Sequence, residues 1–152
     1  MSSGDPAAPP PPRPRWASTS WPDSVDLDQT FDINSLRTLR KTIAALAGRL
    51  GAPDDQTERL LIVAGELATN AICHGGGQGR LLLWHDDDTL YCQVSDHGPG
   101  ITDPTAGTHQ PNPHAGQNGG RGLWICRNLA SELTISTGPS GRGTIIQAVI
   151  PP

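Results

Sequence analysis

One predicted helix carries a carboxylate, an amide and an imidazole at a spacing that suits phosphate and metal chemistry. Glu66, Asn70 and His74 lie at i, i+4 and i+8 in the segment Glu66-Leu-Ala-Thr-Asn-Ala-Ile-Cys-His74. Because four residues turn an α-helix by only about 40° beyond one full turn, the three side chains are predicted to share one side. Asn70 can offer Mg²⁺ a neutral oxygen, and Glu66 can orient or deprotonate an attacking hydroxyl or water. The alternative is a helix with an ordinary polar side whose His74 caps its own end.

This polar stripe is predicted to be partly covered, because Ile62, Val63 and Cys73 lie beside it. A covered carboxylate and amide need polar partners, and a Mg²⁺–phosphate complex would supply them. The opposite side of the helix is predicted to face the core through Leu60, Leu61, Ala64, Leu67, Ala68, Ala71 and Ile72.

A second motif, Asp96-His-Gly98-Pro-Gly100, directly follows a predicted strand. Asp96 would project from the end of the sheet as an acceptor for an exocyclic amine, which favours adenine. Gly98 and Gly100 would let the backbone approach a flat ring, or make a turn, where a side chain would clash. Taken alone, the motif also fits a plain Asp-Gly turn.

A third motif, Gly119-Gly120-Arg121-Gly122-Leu123, precedes a predicted helix. Free N–H groups and the positive end of a helix form an anion site, to which Arg121 can add a charge-assisted contact. The spacing fits neither a Walker nor a dinucleotide-binding loop. Taken alone, the motif also fits a flexible hinge.

The elements that must position these motifs follow from hydrophobic periodicity and turn residues. The predicted strands are 27–33 at an edge, 79–85 and 89–95 joined by a turn at Asp86–Asp88, 133–137 and 144–150. The predicted helices are 36–50, capped by Asn34 or Ser35 and ended by Gly51, 54–74, capped by Asp54 or Asp55, and one starting near Gly120. The pattern predicts an α+β fold: a mixed, mostly antiparallel sheet with helices stacked on one face.

Composition limits the classes of protein that fit. Residues 1–24 are Pro-rich and are predicted to form an extended or disordered tail ahead of one domain at 25–152, and this tail has no apolar signal-peptide core. No stretch approaches the roughly 20 apolar residues of a membrane span. Three cysteines without C-x-x-C spacing favour a reducing cytosol over a disulfide framework. A net charge of −4 without a basic run argues against nucleic-acid binding.

The three motifs in this order resemble the N, G1 and G2 boxes of the GHKL superfamily of ATP-binding proteins. Glu-Leu-x-Thr-Asn-Ala-x-x-His at 66–74 and Gly-Gly-Arg-Gly-Leu-Trp at 119–124 are most similar to bacterial anti-sigma factor kinases. The resemblance covers roughly residues 25–151. It implies a two-layer α/β sandwich, ATP and Mg²⁺ as ligands, a sigma factor and an anti-sigma antagonist as protein partners, and a homodimer.

The resemblance also implies a role for particular residues. Glu66 matches the catalytic base, Asn70 the Mg²⁺ ligand, and Asp96 the acid that reads adenine. The other residues that it assigns to ATP binding are His74, Gly98, Gly100, Gly120, Arg121, Gly122, Leu123 and Thr144. Gly143-Thr144 resembles the family's late Gly-Thr pair, whose hydroxyl supports the adenine contact through water. Residues 101–119 match the lid over ATP.

Three functions follow as hypotheses. The first is a Mg·ATP-dependent serine/threonine kinase that phosphorylates an anti-sigma antagonist and inhibits a sigma factor by binding it. The second is an ATP-dependent sequestering module without kinase activity, suggested by a lid that has no lysine. The third is a detached catalytic domain of the histidine-kinase type.

Overall fold

The computed structural model describes residues 24–99, 121–138 and 142–152. The predicted tail, apart from Ser24, and the predicted lid at 101–119 lie outside these residues, as do Gly100, Gly119 and Gly120.

Within the described residues, five strands form one sheet, in the order β1-β2-β3-β5-β4. They are β1 (Leu27–Asp32), β2 (Gln78–Asp86), β3 (Thr89–Asp96), β4 (Glu132–Thr137) and β5 (Thr144–Ile150). All four strand pairs are antiparallel, so the predicted mixed sheet is corrected to an antiparallel one. The sheet needs no parallel crossover because the chain returns beside β3 through the hairpin of β4 and β5. The predicted edge position of β1 is confirmed.

Three helices complete the described fold: α1 (Leu36–Arg49), α2 (Asp54–His74) and α3 (Arg121–Leu129). The cap residue of α2 is Pro53, not Asp54 or Asp55, which lie in its first turn. Ser35 is the cap residue of α1, but its hydroxyl bonds Asp32 and gives the helix no side-chain cap. Asp54 and Asp55 lie at the positive end of the α2 dipole, where their negative charges stabilise the helix without a capping hydrogen bond.

The helices pack on one face of the sheet and enclose the main core, as predicted. Alternate strand residues such as Leu83, Cys92 and Ala148 face this core, and Leu60, Leu67 and Ala68 of α2 meet them there. Leu61 and Ile72, which were predicted to be core residues, are only partly buried. Helix α2 contacts β2, β3, β5 and both other helices, so it is the central element of the helical layer.

The opposite face of the sheet, here called the outer face, carries the other strand residues. Val25, Leu82 and Trp84 form a second buried cluster there, and Tyr91 stacks on Trp84 with ring centroids 5.5 Å apart. Asp28 accepts two hydrogen bonds from Arg80 at 2.7 and 2.6 Å. The hydrogen bond to Arg80 is the main reason that the pKa of Asp28 is lowered from its ordinary value.

Candidate functional site

The first and third motifs meet where α2 passes the start of α3. A Cβ atom added at Gly122 would lie 2.7 Å from Oε2 of Glu66, so the carboxylate lies directly against the first turn of α3. The first N–H groups of a helix have no partner within it. A carboxylate and a set of backbone donors therefore border the same space, here called the phosphate end of the site.

A buried thiol lies beneath this end. The Sγ of Cys126 donates a weak hydrogen bond to the carbonyl of Val63 at 3.8 Å, which links α3 to α2. Burial, with a smaller effect from the negative charge of Glu66, raises the pKa of Cys126 to about 12. The thiol is therefore neutral under Glu66 and serves as packing, and all three cysteines of the chain are free.

The first and second motifs meet where α2 ends. Gly98 lies so close to Gly75 that a Cβ atom added at Gly98 would be 2.5 Å from the Cα of Gly75 and 2.9 Å from the carbonyl oxygen of His74. A Cβ atom added at Gly75 would instead collide with the carboxylate of Asp96. The backbone of the second motif is thus packed against the last turn of α2, with the Asp96 side chain between them.

Asp96 is oriented by its own loop and by β5. Its Oδ1 accepts a hydrogen bond from the Gly98 N–H at 2.9 Å, which leaves Oδ2 as the second acceptor of the carboxylate. Gly143 donates to the Gly98 carbonyl at 2.8 Å, and Thr144 is the register partner of Asp96. These contacts define the base end of the site: Gly75, Asp96, Gly98, Gly143 and Thr144.

The predicted site residues within the described chain are therefore brought together along α2. Glu66 and Asn70 are half-buried, whereas His74 is exposed; of the neighbours predicted to cover them, Val63 is buried but Ile62 and Cys73 are exposed. Arg121, Gly122 and Leu123 belong to the first turn of α3 itself, not to a loop before it. Leu123 is buried in the core, so only its backbone faces the site.

Two residues of this arrangement were not singled out as site residues from the sequence. Gly75 was interpreted only as a helix breaker, although Asp96 and Gly98 both approach it. Cys126 was counted only as a free thiol. The run Gly75-Gly-Gly77 directly after the first motif was the signal for Gly75, whereas the position of Cys126 depends on how α3 packs.

The side-chain oxygens of Asn70 and Glu66 suit a cation that is also coordinated by a bound ligand. Among the described residues no group of three His, Cys, Asp or Glu side chains could hold a metal by itself. Mg²⁺ requires no such cage, since it keeps several waters and binds one or two protein oxygens together with substrate phosphates. The half-buried Asn70 and Glu66, one turn apart beside the Gly122 backbone, fit that requirement.

A separate groove of about 500 Å³ runs along α1. It is lined by Ile33, Leu36, Arg37, Arg40 and Lys41, so it is basic and contains no residue of the three motifs. Ile33, at its rim, is 66% exposed. We therefore do not assign the nucleotide to this groove.

No helix in the described part of the chain combines the length and the apolar character needed to cross a bilayer. The predicted cytosolic location stays a prediction.

Residues 30–150 match the family described as the histidine kinase-like ATPase domain. The chain belongs to this family, and an ATPase domain implies ATP binding. Over 115 residues the chain is also 30% identical to the anti-sigma F factor of Bacillus velezensis, covering 70% of this chain and 77% of that protein. The anti-sigma F factor of Bacillus subtilis is 29% identical over the same length. The chain is thus a distant relative of anti-sigma F factors.

Solved structures agree on the fold. The structure of the RsbU and RsbW domains of Rv1364c from Mycobacterium tuberculosis matches with a TM-score of 0.59 and 21% identity, over 82% of this chain and 31% of that one. The SiaB–SiaC complex from Pseudomonas aeruginosa matches with a TM-score of 0.61 and 12% identity, over 83% and 91%. The catalytic domain of histidine kinase ThkA matches with a TM-score of 0.53 and 17% identity, over 82% and 95%. The predicted α/β sandwich is confirmed.

Proposed function

We propose that the protein is a Mg·ATP-dependent anti-sigma regulatory factor that phosphorylates serine or threonine on an antagonist protein. One observation carries this proposal: three motifs that are far apart in sequence converge along α2, with Glu66 against Gly122 and Asp96 against Gly75 and Gly98. Along α2, the Asp96 carboxylate lies at the base end of the site, and the Glu66 carboxylate lies beside the N–H donors of α3 at the phosphate end. Adenine and the phosphates of one nucleotide need these two environments.

At the base end, Asp96 accepts the exocyclic amine of adenine through Oδ2 while Oδ1 holds the Gly98 N–H. Thr144, buried beside Asp96, supports the same contact. At the phosphate end, the first turn of α3 and Arg121 hold the phosphates, and Asn70 ligates Mg²⁺, which would neutralise phosphate charge. Gly100 and Gly120 belong to the same proposal by resemblance.

Asp96→Asn tests the base end without disturbing the loop. The asparagine Oδ1 can still accept from Gly98, but its amide group presents a donor where adenine also presents a donor. One unpaired buried polar group costs about 1–3 kcal/mol, so ATP affinity should fall roughly 10- to 100-fold. Calorimetric titration with ATP and GTP, with and without Mg²⁺, measures this. Equal binding of ATP and GTP by the wild-type protein would contradict the role of Asp96.

Glu66 is the proposed general base. It is half-buried, and neither it nor Asn70 makes a side-chain hydrogen bond to another described residue. A carboxylate in this position can accept the proton of an attacking serine hydroxyl as that oxygen bonds to the γ-phosphorus and the bond from phosphorus to the ADP oxygen breaks.

Glu66→Gln should leave ATP affinity within a few-fold of wild type and slow phosphoryl transfer by about 10²–10⁴-fold. The measurement is transfer of label from γ-labelled ATP to a purified antagonist protein. Glu58→Gln, an exposed carboxylate on the same helix, is the matched control and should keep full activity. Equal transfer by wild type and Glu66→Gln would remove Glu66 from the mechanism.

The same assay separates the alternatives. Binding of ATP and of a protein partner, with no label transferred to any antagonist, would support a sequestering module. An acid-labile phosphoryl group on the partner would indicate histidine, as in a detached histidine-kinase domain. An acid-stable group would indicate serine or threonine.

The protein partner is proposed to use the groove along α1. Arg37, Arg40 and Lys41 give it three positive charges beside the exposed Ile33, so it suits a partner surface with acidic and aliphatic side chains. This is the surface that we propose for the sigma factor or the antagonist. Reversing charge with Arg40→Glu should weaken the complex at least tenfold, whereas Arg49→Glu, exposed on α1 outside the groove, should change it little. Equal effects of the two variants would place the partner elsewhere.

A further inference from the structure

The run Gly75-Gly76-Gly77 after α2 contains glycines of two kinds. Gly76 and Gly77 have φ of +92° and +89°, the left-handed region that favours glycine, and an added Cβ atom at either would have no described neighbour within 4 Å. Gly75 has φ of −110° and ψ of 21°, which residues with side chains also adopt, yet it is buried. Backbone conformation therefore requires glycine at 76 and 77, whereas lack of space requires it at 75.

The side chain of Asp96 takes up the space beside Gly75. An added Cβ atom at Gly75 would collide with Cγ and Oδ2 of Asp96, and the carbonyl oxygen of Ala71 would come next, at 2.7 Å. The carboxylate is therefore the group for which Gly75 leaves room, ahead of the last turn of its own helix.

The carboxylate of Asp96 is held from two sides. On one side, Oδ1 accepts a hydrogen bond from the Gly98 N–H at 2.9 Å. On the other side, Oδ2 borders Gly75, whose own N–H donates to the Ala71 carbonyl at 2.8 Å and closes the last turn of α2. Ala71 is buried in the core, so this turn is a fixed wall. The two sides together set the position of Oδ2.

The surroundings of Oδ2 favour a donor over an acceptor. The last carbonyl groups of a helix carry the negative end of its dipole, and Oδ2 lies at that end of α2. Among the described residues, the Gly98 N–H is the one hydrogen-bond donor to this carboxylate, and it is used by Oδ1. An exocyclic amine would supply the donor that Oδ2 needs, whereas an oxo group in the same place would face only acceptors.

We propose that Gly75 is a positioning residue that decides which purine base the site accepts. Without a side chain at 75, Asp96 keeps Oδ2 where it accepts an amine at C6 of the purine and rejects an oxo group there. Base selectivity then belongs to Gly75 and Asp96 together. The inference rests on the proposed function, in which Asp96 reads adenine.

Gly75→Ala tests this with ATP and inosine triphosphate, which differ at C6 by an amine and an oxo group. Calorimetric titration with Mg²⁺ measures both affinities. The variant should lose about tenfold or more in ATP affinity, since the displaced Oδ2 no longer meets the amine, and should bind inosine triphosphate within a few-fold of wild type. A general loss of folded protein would instead lower both affinities by the same factor.

The outcomes separate the two roles. Equal binding of the two nucleotides by the wild-type protein would contradict the role of Asp96, and the role of Gly75 with it. A wild-type preference for ATP that Gly75→Ala retains would contradict the role of Gly75 alone.

Two other glycines provide matched controls. Gly122→Ala, at the phosphate end, should change the affinities for ATP and inosine triphosphate by the same factor, because the triphosphate is common to both. Gly48→Ala, on α1 with no neighbour within 4 Å of its added Cβ atom, should change neither affinity. A selective loss of ATP binding in either control would overturn the assignment to Gly75.

A second variant covers the case in which Gly75→Ala folds poorly. Asp96→Ala removes Cγ and Oδ2, the atoms that the new Cβ would meet first. Denaturant titration should therefore show that Gly75→Ala costs less stability in the Asp96→Ala background than in the wild-type background. Equal costs, or failure of both proteins to fold, would mean that the Ala71 carbonyl and not the carboxylate excludes a side chain, and would overturn the proposal.

Discussion

The base end and the phosphate end of the site differ in the kind of atoms that surround their glycines. At the base end, the close neighbours of Gly98 and Gly143 are backbone atoms of Gly75, His74 and Asp96, while Gly75 also meets the Asp96 carboxylate. At the phosphate end, the close neighbour of Gly122 is the end of the Glu66 side chain, which can rotate. The comparison indicates that replacing Gly98 or Gly143 at the base end acts through folding, whereas replacing Gly122 at the phosphate end acts through chemistry.

The largest expected effect is that of Gly143→Ala. Gly143 has φ of +80°, and an added Cβ atom would collide with the carbonyl oxygen of Asp96. The left-handed backbone and the collision together should lower the free energy of unfolding by about 2–5 kcal/mol. Denaturant titration measures this loss. Gly48→Ala is the control, because nothing lies within 4 Å of its added Cβ and it lies within a helix. That variant should gain up to about 1 kcal/mol. A Gly143→Ala protein as stable as wild type would contradict a backbone-built base end.

Alkaline pH should weaken the core that supports the site. Burial raises the pKa of Cys92, on the strand that leads to Asp96, and of Cys126, under Glu66, to about 12 from 9.0. The unfolded chain ionises these thiols first, so the stabilisation is complete below about pH 9 and is lost as pH rises toward 12. Each thiol adds a slope of up to about 1.4 kcal/mol per pH unit in the unfolding free energy. Denaturant titrations between pH 8 and 11 should show a smaller slope for Cys92→Ser and for Cys126→Ser; unchanged slopes would disprove the effect.

Gly122→Ala should lower activity and leave stability nearly unchanged, unlike Gly143→Ala, which should lower stability. The added Cβ atom would lie 2.7 Å from Oε2 of Glu66, so the carboxylate has to rotate away while the helix remains intact. We expect the unfolding free energy to change by less than about 1 kcal/mol and phosphoryl transfer to fall roughly 10- to 100-fold. Gly65→Ala is the matched control next to Glu66, since its nearest neighbour is Arg40 Nη1 at an ordinary 3.7 Å. Equal activity of the two variants would argue against Glu66 as the base.

The smallest effect concerns the charge of Glu66 itself. This charge adds to burial in raising the pKa of Cys126, so Glu66→Gln should lower that pKa slightly and leave most of the shift in place. Ultraviolet absorbance of the thiolate during alkaline titration measures it, with Asp96→Asn at the base end as the control. An equal response to both variants would mean that the two ends are not electrostatically separate.

Local patterns in the sequence were enough to predict most of the elements. Helix α1 was predicted from apolar spacing and from Gly51, whose positive φ ends it, and the β2–β3 hairpin from three consecutive aspartates between apolar runs. The cap of α2 was wrong because several polar residues precede a helix equally well and only backbone angles choose among them. The sheet was predicted to be mostly antiparallel, and it is entirely so. The sequence pattern did not decide this, because strand pairing is a contact between distant segments.

The sequence by itself determined the chemistry available to this protein: a carboxylate and an amide one helical turn apart, an aspartate before spaced glycines, and a glycine-rich helix start. These are properties of neighbouring residues, which local rules describe well. Only the tertiary structure decided that Glu66 lies against Gly122, that Asp96 fits against Gly75, and that Cys126 lies beneath Glu66. Such contacts depend on the packing of α2 between the sheet and α3, and packing is set by the shapes of many side chains at once.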